Sequence, residues 1–573
     1  MTTALFDFRN SPLSTRFSQL SRTLVAKRLD EVVPLLESAD AESRAGNYVA
    51  LMLSYEAAPA LDSALHTHNE SALPLAWAAV FPEQSRISQI PDSPFCISRW
   101  KPAIARIEYD SAIAKIHELI ARGDTYQVNY SFPLFANFRG EPLALYRALN
   151  LAQGGEYSCF LDLGRYQILS LSPELFFERK GQTVRTKPMK GTVRRGRWLA
   201  EDKELASWLS NSAKDRAENV MIVDLLRNDL GKVSLSGSVE VSSLFDVERF
   251  ETVWQMTSTV TSTLKPNTSL VELMRALFPC GSITGAPKIR TMEIIRELEL
   301  QSRGIYTGTI GLLQPGGDCV FNVAIRTVVV DAESGEATFG VGGGITIDST
   351  AEGEYDECLV KAKFLNTPPQ SFDLFESILL ENGQYFLIER HLNRLRNSAE
   401  FFGFQFSEPA AISALEVLKT DHPDGRSKVK LTLKKDGSLV TDVSAIEPTK
   451  LWRVGLANSP VDSNDRLLFH KTTHREFYAK QVESRTDCDD LLFFNEREEL
   501  TESSVANVVL KLEGKLVTPP VTAGLLAGTF REQLIVDGEI EERTIYRYEL
   551  RQATELFLIN SVRKWIKAEL VEV

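Results

Sequence analysis

Three carboxylates in this sequence have a spacing that suits a hard metal ion. Glu354 and Glu357 lie three residues apart in EGEYDEC, so both side chains would share one face if the segment is helical. Glu218, in RAENVMIVD, lies in another segment with a helical pattern. Carboxylate oxygens are the ligands that Mg²⁺ prefers. Spacing alone is a weak signal, because most glutamate pairs on helices are simply solvated.

A lysine and two glycine-containing segments are further candidates for chemistry. Lys190 precedes a Gly-Thr turn in KPMKGTVRRG. It could act as a nucleophile only if burial or a neighbouring cation lowered its pKa from about 10.4, and an exposed lysine at a strand end is the commoner case. GSITGAPK (281–288) offers backbone N–H groups to an anion at the start of a helix. FGVGGGI (339–345) has a strand context, which argues against a dinucleotide fingerprint.

Taken in their order along the chain, these segments resemble the chorismate-utilising enzymes, which include anthranilate, aminodeoxychorismate, isochorismate and salicylate synthases. The resemblance covers roughly residues 100–365. The motifs that carry it are GDTYQVNYS, LSPELFF, KPMKGT, RAENVMIVDLLRNDLGKV, GSITGAPKIRTMEII, RGIYTG, AIRT and EYDECLVKA. LSYEAAPALD (53–62) resembles the aminodeoxychorismate synthase branch, while LLES (35–38) is either a tryptophan-contacting element or part of an amphipathic helix, which is the favoured interpretation.

The resemblance implies a role for each matching residue. Glu174 of LSPELFF would act as the general acid or base that assists loss of the 4-hydroxyl group of chorismate. The ligands of Mg²⁺, which would hold the ring carboxylate, would be Glu218, Glu354 and Glu357. The other substrate-binding residues would be Tyr306, Arg326, Ser282 and Gly342.

Lys190 distinguishes the branches of this family. Anthranilate synthases usually carry alanine at the matching position, whereas a lysine resembles the aminodeoxychorismate synthases, in which it attacks C2 before ammonia adds at C4. Gln255 stands where many relatives carry histidine, and glutamine cannot transfer protons at neutral pH. An anthranilate synthase large subunit fused to an aminotransferase stays open as the alternative.

A second constellation lies near the end of the chain. Lys471 stands between His470 and His474 in HKTTHREFYA. Two histidines at this spacing on a helix could bind zinc, but the glutamate of an HExxH motif and a third ligand are missing. The surrounding segments resemble the class IV aminotransferase-fold enzymes, among them branched-chain and D-amino-acid aminotransferases and aminodeoxychorismate lyase. They are FLIERHLNRLRNSAEFFGF (386–404), ELTESSVANVVL (499–510), TPPVTAGLLAGTFR (518–531) and LFLINSVR (556–563).

This second resemblance implies a pyridoxal 5'-phosphate site. Lys471 would hold the cofactor and later act as a base, while Glu502 would face the pyridine nitrogen and keep it protonated. The phosphate would be bound by Arg394, the backbone N–H groups of Thr529 and Phe530, and the hydroxyl group of Ser561. Some relatives carry threonine at the position of Phe530, so one hydroxyl donor is lost here. The motifs do not separate a lyase from a transaminase, but the fusion to a chorismate-aminating domain favours a lyase.

The elements that must position these residues indicate two α+β domains. In NTPPQS (366–371) two prolines end the preceding helix, so we expect a first domain over 1–365, a linker over 366–371 and a second domain over 372–573. Helical patterns over 111–124, 217–231 and 286–304 alternate irregularly with strand patterns such as 319–330. The absence of strict βαβ alternation favours α+β over a doubly wound fold.

The composition narrows the partners. A formal net charge of -13 disfavours a nucleic-acid binder, and no uninterrupted apolar run suggests a membrane span. Six scattered cysteines without a CxxC pair, and an N-terminus unlike a secretory signal, suit a reducing cytoplasm. No nucleophile elbow such as GxCxG is present, so we expect ammonia from solution or from a separate glutamine amidotransferase subunit. A homodimer through the second domain is a further expectation.

Overall fold

The structure, a computed structural model, describes residues 4–8, 14–85, 93–366, 372–422, 424–447 and 450–571. By its internal contacts the chain divides into two units, Met1–Arg194 with Ala206–Pro369, and Arg195–Leu205 with Gln370–Val573. The later division falls within the predicted linker 366–371, of which residues 367–371 lie outside the described residues. The sequence predicted a single boundary between two continuous domains. The grouping of residues 195–205 with the second unit departs from that prediction.

The first unit is built mainly of strands. The strands are β1 (Ala4–Phe8), β2 (Ser14–Phe17), β3 (Arg22–Ala26), β4 (Tyr48–Leu53), β5 (Ala76–Phe81), β6 (Phe95–Ile97), β7 (Lys101–Pro102), β8 (Gln127–Gly140), β9 (Tyr157–Asp162), β10 (Tyr166–Ser172), β11 (Leu175–Lys180), β12 (Thr183–Lys187), β13 (Met189–Arg194), β14 (Glu240–Arg249), β15 (Val253–Thr263), β16 (Gly285–Ala286), β17 (Thr309–Leu313), β18 (Cys319–Val323), β19 (Thr327–Asp331) and β20 (Glu336–Ile345). The helices from the start of the chain to the end of this unit are α1 (Leu29–Arg44), α2 (Ala58–Leu61), α3 (Arg106–Ala121), α4 (Pro142–Gln153), α5 (Leu199–Asn211), α6 (Ala213–Gly231), α7 (Leu270–Leu277), α8 (Lys288–Leu298) and α9 (Ala351–Ala362).

These strands form two antiparallel sheets, each with ten strands from the described part of the chain. One sheet has the order β16-β8-β20-β19-β10-β9-β1-β2, with β6 and β7 also paired to β8. The other has the order β13-β15-β12-β11-β18-β17-β4-β5-β3, with β14 paired to β15. Because neither sheet is built from parallel βαβ units, the α+β class predicted from the sequence is confirmed.

The predicted helices are present, with different ends. Ile113 and Ile116 of α3 are buried with Phe132 of β8 and Phe339 of β20, so the apolar stripe does face a core. Helix α8 ends at Leu298 and not near residue 304, because the chain turns where the buried guanidinium of Arg303 pairs with Glu299. The segment 319–330 forms two strands, β18 and β19, separated by a break.

The second unit contains two further sheets. Its strands are β21 (Leu374–Glu381), β22 (Gln384–Tyr385), β23 (Arg426–Leu433), β24 (Leu439–Ala445), β25 (Trp452–Leu456), β26 (Asp490–Phe494), β27 (Leu500–Ser503), β28 (Asn507–Leu512), β29 (Lys515–Thr518), β30 (Glu541–Glu542), β31 (Glu555–Asn560) and β32 (Lys564–Leu570). Its helices are α10 (Ile388–Phe402), α11 (Glu408–Asp421), α12 (Glu476–Glu483) and α13 (Thr529–Val536). The sheet orders are β22-β21-β23-β24 and β27-β26-β25-β32-β31-β28-β29-β30.

The segment 195–205 is fastened within the second unit by buried polar contacts. Arg195 and Asp202 form an ion pair at 2.7 Å, and Arg195 also donates a hydrogen bond of 3.0 Å to the carbonyl oxygen of Phe401. The carbonyl oxygen of Arg197 lies 3.1 Å from Nε2 of His470 and accepts its hydrogen bond. The residue immediately before Lys471 is therefore held by a segment far away in the sequence.

Among the described residues, no helix is both long enough and apolar enough to cross a membrane.

Candidate active sites

Strand β20 gives other elements close access to its backbone because it carries a run of glycines. A Cβ atom on Gly344 would lie only 2.4 Å from Nε2 of Gln127 and 3.1 Å from Nζ of Lys190. A Cβ on Gly343 would lie 2.7 Å from Oε2 of Glu354. The glycines therefore make room for an amine, an amide and a carboxylate at one stretch of strand, and the predicted strand context of FGVGGGI is confirmed.

Lys190 lies on β13 with its amine turned towards negative charges. Burial lowers the pKa of this amine, and the charges of Glu218 and then Glu174 oppose that shift. A lysine with a lowered pKa has a larger neutral fraction, and only the neutral amine is a nucleophile. Burial with a lowered pKa is the condition under which Lys190 could act as a nucleophile and not only as a surface charge.

Glu174 is a buried carboxyl group between β10 and β11. The hydroxyl group of Ser282 donates a hydrogen bond of 2.6 Å to its Oε1 atom. Burial raises the pKa of Glu174 to about 7, although the bond from Ser282 and the charge of Lys190 act in the opposite direction. A carboxyl group with this pKa can donate or accept a proton near neutral pH.

Two of the three predicted metal-binding carboxylates feel the charge of another: Glu218 that of Glu354, and Glu354 that of Glu357. Burial raises the pKa of Glu218 and of Glu354, and each pKa is raised further by a neighbouring carboxylate. Glu354 accepts a hydrogen bond of 2.7 Å from Ser349, and Glu357 forms an ion pair of 2.7 Å with Lys361. Glu354 and Glu357 both lie on α9, as their spacing predicts. A cation would relieve the repulsion, so the donor set fits a hard ion such as Mg²⁺.

The arrangement of these side chains is not itself that of a metal centre. In the part of the chain that the structure describes, no three His, Cys, Asp or Glu side chains are grouped so as to hold a metal ion. Lys361 supplies the positive charge instead, and it also donates a hydrogen bond of 2.9 Å to the carbonyl oxygen of Gly342. The assignment of Glu218, Glu354 and Glu357 as ligands stays a prediction.

Two predicted substrate-binding residues, Arg326 and Tyr306, lie at the sheet that contains β20. Arg326 lies between β18 and β19 with a φ of 51°, and its Nη1 atom is buried without a hydrogen-bond partner among the described residues. Burial lowers the pKa of this guanidinium to about 10. Tyr306 lies against Gly340 of β20, where a Cβ would come within 2.3 Å of the ring. A buried guanidinium with an unpartnered N–H group is a suitable receptor for a carboxylate.

Gln127 is a site residue that the sequence did not single out. It is 2% exposed at the start of β8, and neither Nε2 nor Oε1 of its amide has a hydrogen-bond partner in the described structure. Its place in GDTYQVNYS is the only signal in the sequence that could have marked it. A buried amide without partners, close to Lys190, is available to a ligand.

Gln255 has a structural role beside Lys190. Its Nε2 atom donates a hydrogen bond of 2.9 Å to the carbonyl oxygen of Gly191, and its Oε1 atom accepts one of 2.9 Å from Thr192. Both partners belong to β13, the strand of Lys190. This side chain therefore fastens the strand, and any proton transfer must come from another residue.

Lys471, in the second unit, has an environment that suits a reactive amine. Burial lowers its pKa to about 7, and the positive charges of Arg394 and Arg475 contribute. Its amine lies 4.8 Å from the ring centroid of Phe375, and its carbonyl oxygen accepts a hydrogen bond of 3.0 Å from the Phe375 backbone. His470 and His474 lie before α12 and not on a helix, so the spacing considered for zinc does not apply.

Arg394 is held rigidly beside the start of α13. Its guanidinium donates two hydrogen bonds to Glu376, at 2.8 and 2.6 Å, and a third of 3.0 Å to the carbonyl oxygen of Ala527. Burial alone would raise the pKa of Glu376, but the charge and hydrogen bonds of Arg394, together with His391, lower it to about 2. The fixed guanidinium thus lies close to Thr529, the first residue of α13.

The first turn of α13 provides the predicted backbone donors. N–H groups at a helix start lack partners within the helix and attract anions. The ring of Phe530 has no donor group and packs against Phe386 and Trp565, with centroids 5.8 and 6.4 Å apart, so Phe530 can contribute only its backbone N–H group. Ser561 donates a hydrogen bond of 3.3 Å to the carbonyl oxygen of Ser377, on the strand that also carries Glu376. These groups fit a phosphate.

Glu502 on β27 is buried with two donors directed at it. The Tyr478 hydroxyl donates a hydrogen bond of 3.1 Å to Oε1, and the Leu526 backbone donates one of 3.2 Å to Oε2. Burial raises the pKa of Glu502 to about 7, opposed first by the charge of Arg475. A cationic partner such as a protonated pyridine nitrogen would satisfy this carboxylate. The second site therefore fits pyridoxal 5'-phosphate in its amine, carboxylate and phosphate-binding groups.

Comparison with known proteins finds a family model for each of the two units. A family model described as chorismate binding enzyme matches residues 84–367, and one described as amino-transferase class IV matches residues 373–571. The aminodeoxychorismate synthase component 1 of Escherichia coli (strain K12) is 41% identical over 313 residues, which are 54% of this chain and 67% of that protein. The chain therefore belongs to the chorismate-binding enzyme family through its first unit, and its second unit matches the class IV amino-transferase model.

Two further similarities define how far the match extends. The aminodeoxychorismate synthase component 1 of Salmonella typhimurium is 43% identical over 271 residues, or 47% of this chain, and the match spans only 59% of that relative. The crystal structure of anthranilate synthase component I from Streptococcus pneumoniae TIGR4 is 31% identical, with a TM-score of 0.50, and the match covers 56% of this chain and 81% of that one. The chain is therefore similar both to proteins named aminodeoxychorismate synthase and to proteins named anthranilate synthase.

Proposed function

We propose that this chain makes p-aminobenzoate from chorismate in two successive reactions. The first unit would aminate chorismate at C4, and the second would eliminate pyruvate from the resulting 4-amino-4-deoxychorismate. The observation that carries the proposal is the position of Lys190, whose amine lies at the glycine run of β20 and feels the charges of Glu174 and Glu218. The alternative is amination at C2, as the names of the anthranilate synthase relatives imply, and it gives no role to a buried lysine.

In the first reaction, the neutral amine of Lys190 would form a bond to C2 while the C4–O bond breaks. Glu174, with a pKa of about 7, would give its proton to the departing hydroxyl group, which leaves as water. Ammonia would then form a bond to C4 and expel the neutral lysine amine from C2, and a proton from the new C4 ammonium group would return Glu174 to its protonated form. Two easier substitutions replace one difficult substitution.

The charges around Lys190 would bind and orient the substrate. Arg326 and Tyr306 would bind carboxylate groups of chorismate, since one offers an unpaired buried cation and the other a hydroxyl donor. Glu218, Glu354 and Glu357 would hold Mg²⁺, which would supply positive charge to the ring carboxylate.

In the second reaction, pyridoxal phosphate would supply an electron sink for the carbon that loses its proton. Lys471 would hold the cofactor through its amine and afterwards move a proton. Glu502, kept in place by Tyr478, would keep the pyridine nitrogen protonated. Arg394 and the first turn of α13 would bind the phosphate. The products, p-aminobenzoate and pyruvate, together contain all the atoms of 4-amino-4-deoxychorismate.

The remaining expectations follow from the relatives and the composition. Relatives named component 1 imply a separate component that supplies ammonia, and we propose a glutamine amidotransferase subunit or free ammonia as the source. The six cysteines are free thiols, which suits a cytoplasmic enzyme. A homodimer through the second unit is part of the same proposal.

Product analysis tests the proposal. In the presence of Mg²⁺ and pyridoxal phosphate, the purified chain should convert chorismate and ammonium to p-aminobenzoate and pyruvate. When pyridoxal phosphate is removed, the product should be 4-amino-4-deoxychorismate. Lys190→Met should lower amination by at least about 10³-fold, as expected for loss of a nucleophile. Lys180→Met, at an exposed lysine of β11, is the matched control. Anthranilate as the product, or a fully active Lys190→Met variant, would refute the proposal.

A further inference from the structure

A group of three cationic side chains in the second unit has no role in the reactions proposed above. Lys428 and Lys430 alternate with buried Val429 on β23, so both project from one face of the strand. Arg563 lies between β31 and β32, and it approaches the ring of Trp452 at 5.8 Å. Burial lowers the pKa of Lys428, and the positive charges of Arg563 and Lys430 lower it further. The three side chains are therefore close enough to repel one another.

This cationic group, Lys428, Lys430 and Arg563, adjoins the reactive lysine through one aromatic ring. The amine of Lys430 lies 5.0 Å from the ring centroid of Phe375, and the amine of Lys471 lies 4.8 Å from the same centroid. Phe375 is on β21, which pairs directly with β23. Lys430 and Lys471 thus contact the same ring, which places Lys430 one side chain away from the reactive lysine.

Among the described residues of the second unit, the positive charge of this group is only partly offset. In residues 372–422, 424–447 and 450–571, no carboxylate forms an ion pair with Lys428, Lys430 or Arg563. Asp442 lies opposite Lys430 on β24, but it is exposed and only partly offsets the shift at Lys428. Half-buried cations whose counter-charge is exposed and partial cost free energy, and an anionic ligand would recover it.

We propose that Lys430, supported by Lys428 and Arg563, binds the ring carboxylate of the substrate at the second site. The inference rests on the proposed function, because 4-amino-4-deoxychorismate carries this carboxylate across the ring from the C4 amino group. Lys471 acts at the amino end of the substrate, and Lys430 shares Phe375 with it, so Lys430 is placed to hold the other end. Amino acids with apolar side chains have no carboxylate at the end away from the amino group, so the group would favour the lyase substrate over them.

Ligand binding tests this subsite directly. The full-length chain loaded with pyridoxal phosphate is titrated with p-aminobenzoate, which has the ring carboxylate, and with aniline, which lacks it, and the visible absorbance of the cofactor is followed. Lys430→Met should weaken p-aminobenzoate binding by about 10-fold or more, as loss of a charge-assisted hydrogen bond does, and leave aniline unchanged. Lys430→Arg should keep most of the affinity. Lys435→Met, at an exposed lysine just beyond β23, should match the parent chain.

Kinetics provide a second measurement. With 4-amino-4-deoxychorismate prepared by a Lys471→Ala chain, Lys430→Met should raise KM by about 10-fold while kcat changes less, because the lost contact is present before and during the reaction. The cofactor content should stay at the parent value. Loss of the cofactor from Lys430→Met would show that the group holds the phosphate instead and would overturn the inference.

The outcomes separate this inference from the proposed function. If the parent chain forms p-aminobenzoate and Lys430→Met leaves both KM and p-aminobenzoate affinity unchanged, the subsite is wrong and the function stands. The parent chain could instead release no p-aminobenzoate from chorismate, yet bind p-aminobenzoate more tightly than aniline and lose that difference in Lys430→Met. In that case the subsite stands and the proposed function is wrong. A parent chain that does not bind p-aminobenzoate more tightly than aniline would overturn the subsite.

Discussion

The hydroxyl group of Ser282 donates a hydrogen bond of 2.6 Å to the carboxyl group of Glu174. This bond stabilises the charged form of Glu174, while burial stabilises the neutral form and raises the pKa to about 7. This hydrogen bond thus joins two segments that are far apart in sequence, LSPELFF and GSITGAPK. The balance between the two effects sets the pH range in which Glu174 can act as an acid.

Removal of that hydroxyl should shift the pH dependence of the first reaction. Glu174 must be protonated to assist the departing hydroxyl group, so the amination rate at constant free ammonia should fall as the pH rises through about 7. Ser282→Ala removes a contact that lowers the pKa of Glu174, so the fall should move to higher pH. Ser334→Ala, at an exposed serine between β19 and β20, should leave the profile unchanged. A shift to lower pH would contradict the role of Glu174 as an acid.

Gly344→Ala should damage the first reaction alone. Its Cβ would lie 2.4 Å from Nε2 of Gln127 and 3.1 Å from Nζ of Lys190, so at least one of these side chains must move. A displacement of about 1 Å at a reacting group costs about 10²-fold in rate. Gly231→Ala, on α6 with open space around it, is the control. Separate assays of chorismate amination and of pyruvate release would check the prediction, and equal loss of both activities would contradict it.

The sequence predicted the residues that stand in short motifs and missed those defined by tertiary contacts. Lys190 and Lys471 were identifiable because family motifs surround them, although the burial that makes them reactive is visible only in the fold. Gln127 was quoted within a motif but not singled out, since its lack of hydrogen-bond partners depends on β20 and β13. Helix α8 was predicted too long, because the helical pattern continues into a turn that a buried ion pair at Arg303 holds.

The segment 195–205 was missed for a related reason. Nothing in GRWLAEDKEL distinguishes an ordinary surface helix from one in a segment whose hydrogen bonds reach residues 206 and 273 positions later. The two units and their α+β class could be predicted from local patterns. The grouping of residues 195–205 with the second unit could not, because it depends on packing that local patterns do not record.

Arg195→Met should destabilise the second unit. Asp202 is 2% exposed, and removal of its partner leaves a buried charge that typically costs about 3–5 kcal/mol in the free energy of unfolding. Lys203→Met is the control, because Lys203 and Glu400 form an exposed pair and such pairs contribute about 1 kcal/mol or less. Denaturant unfolding followed by the visible absorbance of bound pyridoxal phosphate measures the difference. Equal stability of the two variants would mean that 195–205 is dispensable to the second unit.

Lys471 should react with pyridoxal phosphate at a pH where ordinary lysines do not. Its pKa of about 7 leaves half of its amine neutral at that pH, because burial and the charges of Arg394 and Arg475 disfavour the protonated form. The extent of early labelling in the cofactor-free chain, trapped with borohydride and measured at Lys471 by mass spectrometry, should rise between about pH 6 and 8 and then level off. A lysine with the ordinary pKa of about 10.4 would still be gaining reactivity at pH 9.

Two variants decide what that result means. Lys471→Ala should bind no cofactor covalently and release no pyruvate, yet it should still aminate chorismate and accumulate 4-amino-4-deoxychorismate, because Lys190 and Glu174 belong to the other unit. Arg475→Met removes one of the charges that lower the pKa of Lys471, so the rise in labelling should move to higher pH. Labelling that reaches half of its maximum only near pH 10 in the parent chain would contradict the assigned environment, and normal p-aminobenzoate formation by Lys471→Ala would remove Lys471 from the reaction.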